Sequence, residues 1–329
     1  TRELARLSQR LVDMAPNNMR KVFYGLSGSD ANETQAKLVW HYHNLIGKPQ
    51  KKKIIARDRG YHGCSVVSGS MTGMSFYHAH MDLPVGNILH TGVPHHYWGS
   101  KPGETEEDFS RRRASELEQM ILNEGPETVA AFIGEPVLGT GGIIPPPAGY
   151  WDEIQSILAK YDVLLIADEV VTAFGRIGAD FGSTVYDMAP DLITVAKGLT
   201  SAYAPLSAVL VGEKVAAALS EHSDEVGPFS HGYTYSGHPI SVAAANANLD
   251  VIENDRDYDN FIRKDWKDQN SSIHLLEAFT ALYEVWPNPL LKERLEELLI
   301  LIRDTITTQK GFLTLHLERD WTPVSFKDS

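Results

Sequence analysis

Val163-Leu164-Leu165-Ile166-Ala167-Asp168, with Leu192-Ile193-Thr194-Val195-Ala196-Lys197 downstream, is the stretch that decides the fold. Each segment is a short, largely apolar run closed by one charged side chain. Runs this short, rich in Val, Ile and Leu, suit strands buried on both faces of a parallel sheet. Open α/β sheets bind ligands at the carboxyl ends of their strands. Asp168 and Lys197 are therefore expected at one crevice, holding the two ends of one bound group.

Upstream, Lys21 to Leu26 reads as a strand, and Ser27-Gly28-Ser29-Asp30-Ala31-Asn32-Glu33 then opens a helical pattern that runs through Leu45 to a stop at Gly47. Backbone N–H groups and two hydroxyls at a helix N-terminus make an anion site, with phosphate its usual occupant. A plain capped helix is the alternative, because Ser and Asp cap helices in any protein. Lys53 to Arg57 is a further strand, leading into Gly60-Tyr61-His62-Gly63-Cys64, where glycines let a flat ring approach the backbone. Packing alone would also account for the Tyr–His pair. Ser65 to Trp98 is irregular. Its His78, His80, His90, His95 and His96 lack the Cys or carboxylate partners at ligand spacing that a metal site needs, so no metal is expected. Glu104 to Asn123 reads as a solvated outer helix, Val129 to Ile133 as a buried strand ending at Glu135-Pro136-Val137, and Tyr150 to Lys160 as a helix. Leu206 to Val211 is another strand, and residues 240–253 an Ala-rich helix. This alternation predicts an α/β fold with a mainly parallel central sheet.

At 329 residues the chain suits one large or two modest domains, and its 43% hydrophobic and 22% charged content are ordinary for a globular protein. No apolar run is long enough to span a bilayer and no signal peptide is read at the start, so a membrane is not expected. A formal charge of −13 argues against a nucleic-acid surface. Lys51-Lys52-Lys53 reads as a solvated loop. The single Cys64 suits a reducing compartment, and the expected location is cytoplasmic.

A lysine amine forms a Schiff base with a carbonyl, and a carboxylate facing a pyridine nitrogen keeps that ring an electron acceptor. Asp168 and Lys197 at one crevice therefore fit pyridoxal phosphate, with the Ser27-Gly28-Ser29 turn on its phosphate, Tyr61 on one ring face and Val170 on the other.

The ordered set SGSDANE (27–33), GYHG (60–63), EPV (135–137), LLIADEVVTAFGR (164–176), AKGL (196–199) and YTYSGHP (233–239) resembles the class III aminotransferases, and most closely their amine–pyruvate branch. The resemblance implies a fold-type I large domain over residues 1–262, with Lys197 as Schiff-base lysine and proton shuttle and Asp168 as pyridinium partner. It places Gly28 and Ser29 on the phosphate, Tyr61, His62 and Val170 around the ring, and Glu135 beside Asp168. It also implies a homodimer in which Thr234 reaches the neighbouring subunit's cofactor phosphate and Tyr233 lines the neighbour's substrate pocket. The implied reaction is a ping-pong transfer of an amino group from an amine or ω-amino acid to a keto acid such as pyruvate.

The family pattern is expected to be truncated at both ends, without the C-terminal α+β domain and its substrate-carboxylate arginine. Residues 263–329 read instead as a helical tail, Ile273 to Val285 and Pro289 to Ile306 after the Trp286-Pro287-Asn288 break. Asn270 to Phe279 and Asp320-Trp321-Thr322-Pro323 resemble a fragment of the cellobiose/N-acylglucosamine 2-epimerases, an (α/α)6 family with histidine acid/base chemistry. His274 and Glu277 would equally make a simple i,i+3 helix pair. The junction suggests a chimera, so a cofactor-binding module without turnover is the alternative function, and a sugar epimerase ranks last.

Overall fold

The computed structural model describes residues 1–16, 19–254, 267–268, 276, 279–280, 282–283, 286–307 and 316–317. Seven strands form one sheet: β1 (Met19–Gly25), β2 (Lys53–Arg57), β3 (Ile88–Thr91), β4 (Val129–Gly134), β5 (Leu164–Asp168), β6 (Leu192–Val195) and β7 (Ser207–Gly212). Their spatial order is β1-β7-β6-β5-β4-β2-β3. The pairs from β3 across to β6 are parallel, and β7 runs antiparallel to both β6 and β1. The expected mainly parallel sheet is therefore present, with one reversed strand. Every residue of β4, β5, β6 and β7 is buried, which is why these segments are continuous apolar runs rather than alternating ones.

Helices cover the sheet: α1 (Arg2–Met14), α2 (Gly28–Leu45), α3 (Val66–Met71), α4 (Glu106–Glu124), α5 (Tyr150–Lys160), α6 (Glu213–Glu221) and α7 (Pro239–Asn254). The α2 helix starts where the sequence places it. Ser27 Oγ accepts the Asp30 N–H at 3.3 Å, while the Asp30 carboxylate accepts the Ser27 N–H at 3.0 Å, a reciprocal capping box. It packs on β1, β4, β6 and β7 and buries Asn32, Thr34, Gln35 and His43 beside its apolar residues. Polar side chains so placed must find partners inside the protein.

Three local expectations need correction. Helix α4 is not wholly solvated: Phe109, Ser110, Ala114, Leu117 and Ile121 form a buried stripe. The irregular 65–98 segment contains α3 and the edge strand β3, whose four residues Ile-Leu-His-Thr are too few to show a period in sequence. In the Lys51–Lys53 run, Lys51 is buried, and its ammonium donates to the carbonyls of Val129, Tyr161 and Asp162 at 2.8, 3.1 and 2.9 Å. That ammonium ties the start of β4 to the end of α5. The histidines of the 78–96 region also serve the backbone: His78, His90 and His96 each bond a carbonyl through Nε2.

Two compact units divide the chain, Thr1–Arg256 and Asp257–Ser329. In the second, Asn288 Oδ1 caps α8 (Pro289–Leu301), which continues as a π turn to Ile306. Lys267–Asp268 pairs antiparallel with His316–Leu317. The expected boundary at 262/263, His274, Glu277 and Asp320 to Pro323 lie outside the described residues. Among the described residues, no helix is long and apolar enough to cross a membrane.

One buried group makes the fold sensitive to acid. His43 on α2 donates from Nε2 to the Ala130 carbonyl at 3.0 Å, and its buried Nδ1 has no hydrogen-bond partner. Burial, with Lys51 and Lys52 nearby, lowers its pKa from 6.5 to about 4. The unfolded chain takes up this proton first, so the contribution is complete above pH 6.5 and is lost as pH falls toward 4. Urea unfolding across that range is expected to show this loss in the parent and not in His43→Gln, which keeps the donor and does not titrate. Parallel stability curves would refute the assignment.

Candidate functional site

Three adjacent parallel strands end on one edge of the sheet. Glu135 follows β4, Asp168 closes β5 and Lys197 follows β6. With neighbouring strands about 4.8 Å apart, the three side chains emerge beside one another and face the N-terminus of α2. Between them lies a cleft of about 510 Å³. Of the residues expected at a site, Gly28, Ser29, Tyr61, His62, Glu135, Asp168, Val170 and Lys197 all line it. Tyr233 and Thr234 do not. The Tyr233 hydroxyl donates to the Asp30 carbonyl at 3.1 Å, and Thr234 is exposed.

Asp168 is held on both oxygens. Its Oδ2 lies 2.8 Å from His62 Nδ1 and accepts the Asn32 amide at 2.8 Å, while Oδ1 accepts the Val170 N–H at 3.1 Å. His62 is itself buried, so its ring braces the carboxylate. The neighbouring Glu169 points to the other face of the strand end. There it accepts the N–H groups of Gly182 and Ser183 and the hydroxyls of Thr172 and Ser183, stapling the 169–183 loop. Burial pushes the Glu169 carboxyl up, and these bonds act against it. Two adjacent carboxylates thus divide their work, one at the cleft and one behind it.

Glu135 is also buried, and burial pushes its pKa up. Its Oε1 accepts the Tyr61 N–H at 3.0 Å and its Oε2 the Gly139 N–H at 2.7 Å, which ties the aromatic segment to the loop after β4. Arg57 supports that loop from below: its guanidinium donates to the Glu135 carbonyl at 2.5 Å and stacks 5.1 Å from the Trp151 ring centre. The Tyr61 ring meets Tyr77 edge-on at 5.4 Å.

Lys197 stands on the cleft wall, exposed, at φ +40°, in the left-handed region that side-chain-bearing residues adopt at some cost. The turn ends β6 at that point. Opposite, Gly28 leaves no room for a side chain, since a Cβ there would fall 2.9 Å from Val170 Cγ2. Gly63, at φ +136°, approaches Ser29 and Ser68 closely enough that a Cβ would overlap both. The Cys64 N–H then donates to Ser29 Oγ at 3.2 Å, fixing the 60–64 segment to the first turn of α2.

Sequence reasoning passed over Asn32, which bridges the His62 carbonyl and Asp168. The signal was available in the spacing: four residues after Gly28 is one helical turn, hence the same face of α2.

Residues 1–280 match the protein family Aminotransferase class-III. The chain is 60% identical over 249 residues to a diaminobutyrate–2-oxoglutarate transaminase of Halomonas elongata, covering 75% of this chain and 53% of that protein. It is 73% identical over 253 residues to an uncharacterized aminotransferase of Sinorhizobium fredii, 54% of whose length is matched. An ω-transaminase structure from Pseudomonas jessenii, in complex with PMP, superposes with a TM-score of 0.78 at 44% identity over 87% of this chain and 62% of that one. The chain spans about half the length of these curated relatives. The family match runs past residue 262, and none of these findings supports the epimerase resemblance or the amine–pyruvate branch in particular.

The two bonds of Glu135 make a direct test. Glu135→Gln keeps one acceptor oxygen and turns an NH2 toward the other N–H, leaving one buried donor unpaired at about 1–3 kcal/mol. Hydrogen exchange is expected to show faster exchange at the Tyr61 or the Gly139 amide, with lowered stability. Unchanged protection at both would contradict the clasp.

Proposed function

The chain belongs to the class III aminotransferase family, and on that premise we propose that it moves an amino group from an amine or ω-amino acid to a keto acid such as pyruvate. The family uses pyridoxal phosphate. The observation that carries the reading is the convergence of Glu135, Asp168 and Lys197, from three adjacent strand ends, on the cleft that also receives the N-terminus of α2.

The residues present fit the cofactor. The Gly28 and Ser29 N–H groups lie in the first turn of α2, where backbone donors have no intrahelical acceptor and favour an anion. The close contact of Gly28 with Val170 keeps that turn against the cleft wall. Asp168, braced by His62 and Asn32, presents a carboxylate that would keep a pyridine nitrogen protonated. Tyr61 and Val170 bound the space for a flat ring. Pyridoxal phosphate, when bound, supplies a carbonyl for the amine and a ring that accepts electrons. Lys197 Nζ, on the cleft wall, is the amine that would hold that carbonyl as a Schiff base, and once released it would serve as the base that moves the substrate's proton. Glu135 keeps Tyr61 in place through its backbone.

The relative named for diaminobutyrate supports an ω-amino donor. The reading includes a homodimer in which Thr234 reaches the neighbouring subunit's phosphate. An exposed Thr234 outside its own cleft supports this, as do the exposed Tyr97, Trp98, Tyr203 and Ile240 that a partner would cover.

Purified protein loaded with pyridoxal phosphate is expected to show a visible band that borohydride fixes to the peptide containing Lys197. ω-Amino donors should bleach the band, and pyruvate should restore it. Lys197→Ala is expected to lose the borohydride adduct and to slow turnover by about 10²- to 10⁴-fold. A stable band that no donor bleaches would favour a binding module without turnover. No band at all would sink the assignment.

A further inference from the structure

Thr194 lies three positions before Lys197 on β6 and directly opposite Asp168 in the β5–β6 register. It is fully buried, as are Gln35 and Asn32 on the facing side of α2. The Gln35 amide donates to Thr194 Oγ1 at 2.5 Å, and the Thr194 hydroxyl donates to Asn32 Oδ1 at 2.7 Å. The Asn32 amide nitrogen then donates to the His62 carbonyl and to Asp168 Oδ2, at 2.8 Å each.

Chemistry at the ends sets the direction of every bond in this chain. A carboxylate and a backbone carbonyl only accept, so Asn32 must turn its NH2 toward Asp168 and His62. Its Oδ1 therefore faces Thr194 and requires a donor. A hydroxyl has one proton to give, and the Gln35 NH2 leaves it free for Asn32. The outcome at Asp168 is asymmetric. Its Oδ2 is taken by Asn32 and His62, whereas Oδ1 holds one bond, from the Val170 N–H, and keeps acceptor capacity for a ligand.

We infer that Thr194 is a positioning residue for the cofactor chemistry: acting through Asn32, it fixes which oxygen of Asp168 stays bound inside the protein and which is offered to the cleft. The strand that leads into Lys197 thus also sets the carboxylate. This inference rests on reading the cleft as a pyridoxal phosphate site.

The test compares Thr194→Val, which keeps the shape and removes the hydroxyl, with Thr194→Ser, which keeps the hydroxyl. Spectroscopic titration is expected to give about tenfold weaker pyridoxal phosphate binding in Thr194→Val, the scale of one buried acceptor left unpaired. Thr194→Ser should stay within about threefold of the parent. In the cofactor-free protein, nitrogen NMR of labelled histidine should show the His62 Nδ1 signal shifted in Thr194→Val and restored in Thr194→Ser. Lowered stability with parent-like affinity and an unchanged His62 signal would reduce Thr194 to a packing role and overturn the inference. Should the parent bind no pyridoxal phosphate, the proposed function fails, and the His62 signal alone then decides for or against the relay. If Thr194→Val does not fold, Gln35→Leu loosens the same relay one step earlier, and a parent-like affinity and His62 signal there would overturn it.

Discussion

Parallel pairing of β4, β5 and β6 is the constraint on which the rest of the site depends. In a parallel ladder, successive strands all leave the sheet on the same edge, so the residues that follow them arrive side by side. Glu135, Asp168 and Lys197 are brought together by that rule, although they are far apart in sequence. The α2 helix completes the arrangement because it crosses above these strands with its N-terminus at their carboxyl ends. A helix buried over charged strand ends cannot be apolar throughout. That is the reason its inward face carries Asn32 and Gln35 beside Ala, Leu and Val.

An acidic chain buries several charges here, and it holds them by hydrogen bonds from neutral groups more than by ion pairing. Glu135 takes two backbone N–H groups, and Glu169 takes two backbone N–H groups and two hydroxyls. Lys51 donates to three carbonyls, and Arg57 donates to one carbonyl and lies over the face of Trp151, with its Nε left without a hydrogen-bond partner. A buried charge needs such partners to be tolerated at all. Each clasp also fixes a loop: Glu135 the Tyr61 segment, Glu169 the stretch to Ser183, Arg57 the exit of β4. The cleft is therefore walled by loops whose positions are set by buried side chains. That is the kind of support a site needs to keep its reacting groups in place.

The difference between neighbours shows what burial decides. Asp168 and Glu169 are adjacent carboxylates, yet strand alternation sends them to opposite sides. One lines the cleft and the other closes a loop behind it. Likewise, of three consecutive lysines, Lys51 is interior while Lys52 and Lys53 are partly exposed and bond Asn44 and Glu124. No charge count or run length distinguishes these cases, because the deciding quantity is the distance to residues remote in the chain.

Local patterns in the sequence determined the strands ending at Asp168 and Lys197, the Ser27 cap of α2 and the α/β class, because apolar run length, capping chemistry and turn glycines act over a few residues. The resemblance carried by the ordered motifs added the family. The reversal of β7, the edge strand at Ile88–Thr91, the bracing of Asp168 by His62 and Asn32, and the Thr194 relay were decided only by the tertiary structure. Strand direction and buried hydrogen bonds depend on which distant segments meet. A polar residue such as Thr194 inside an apolar run acquires its meaning only from the helix face that comes to lie against it.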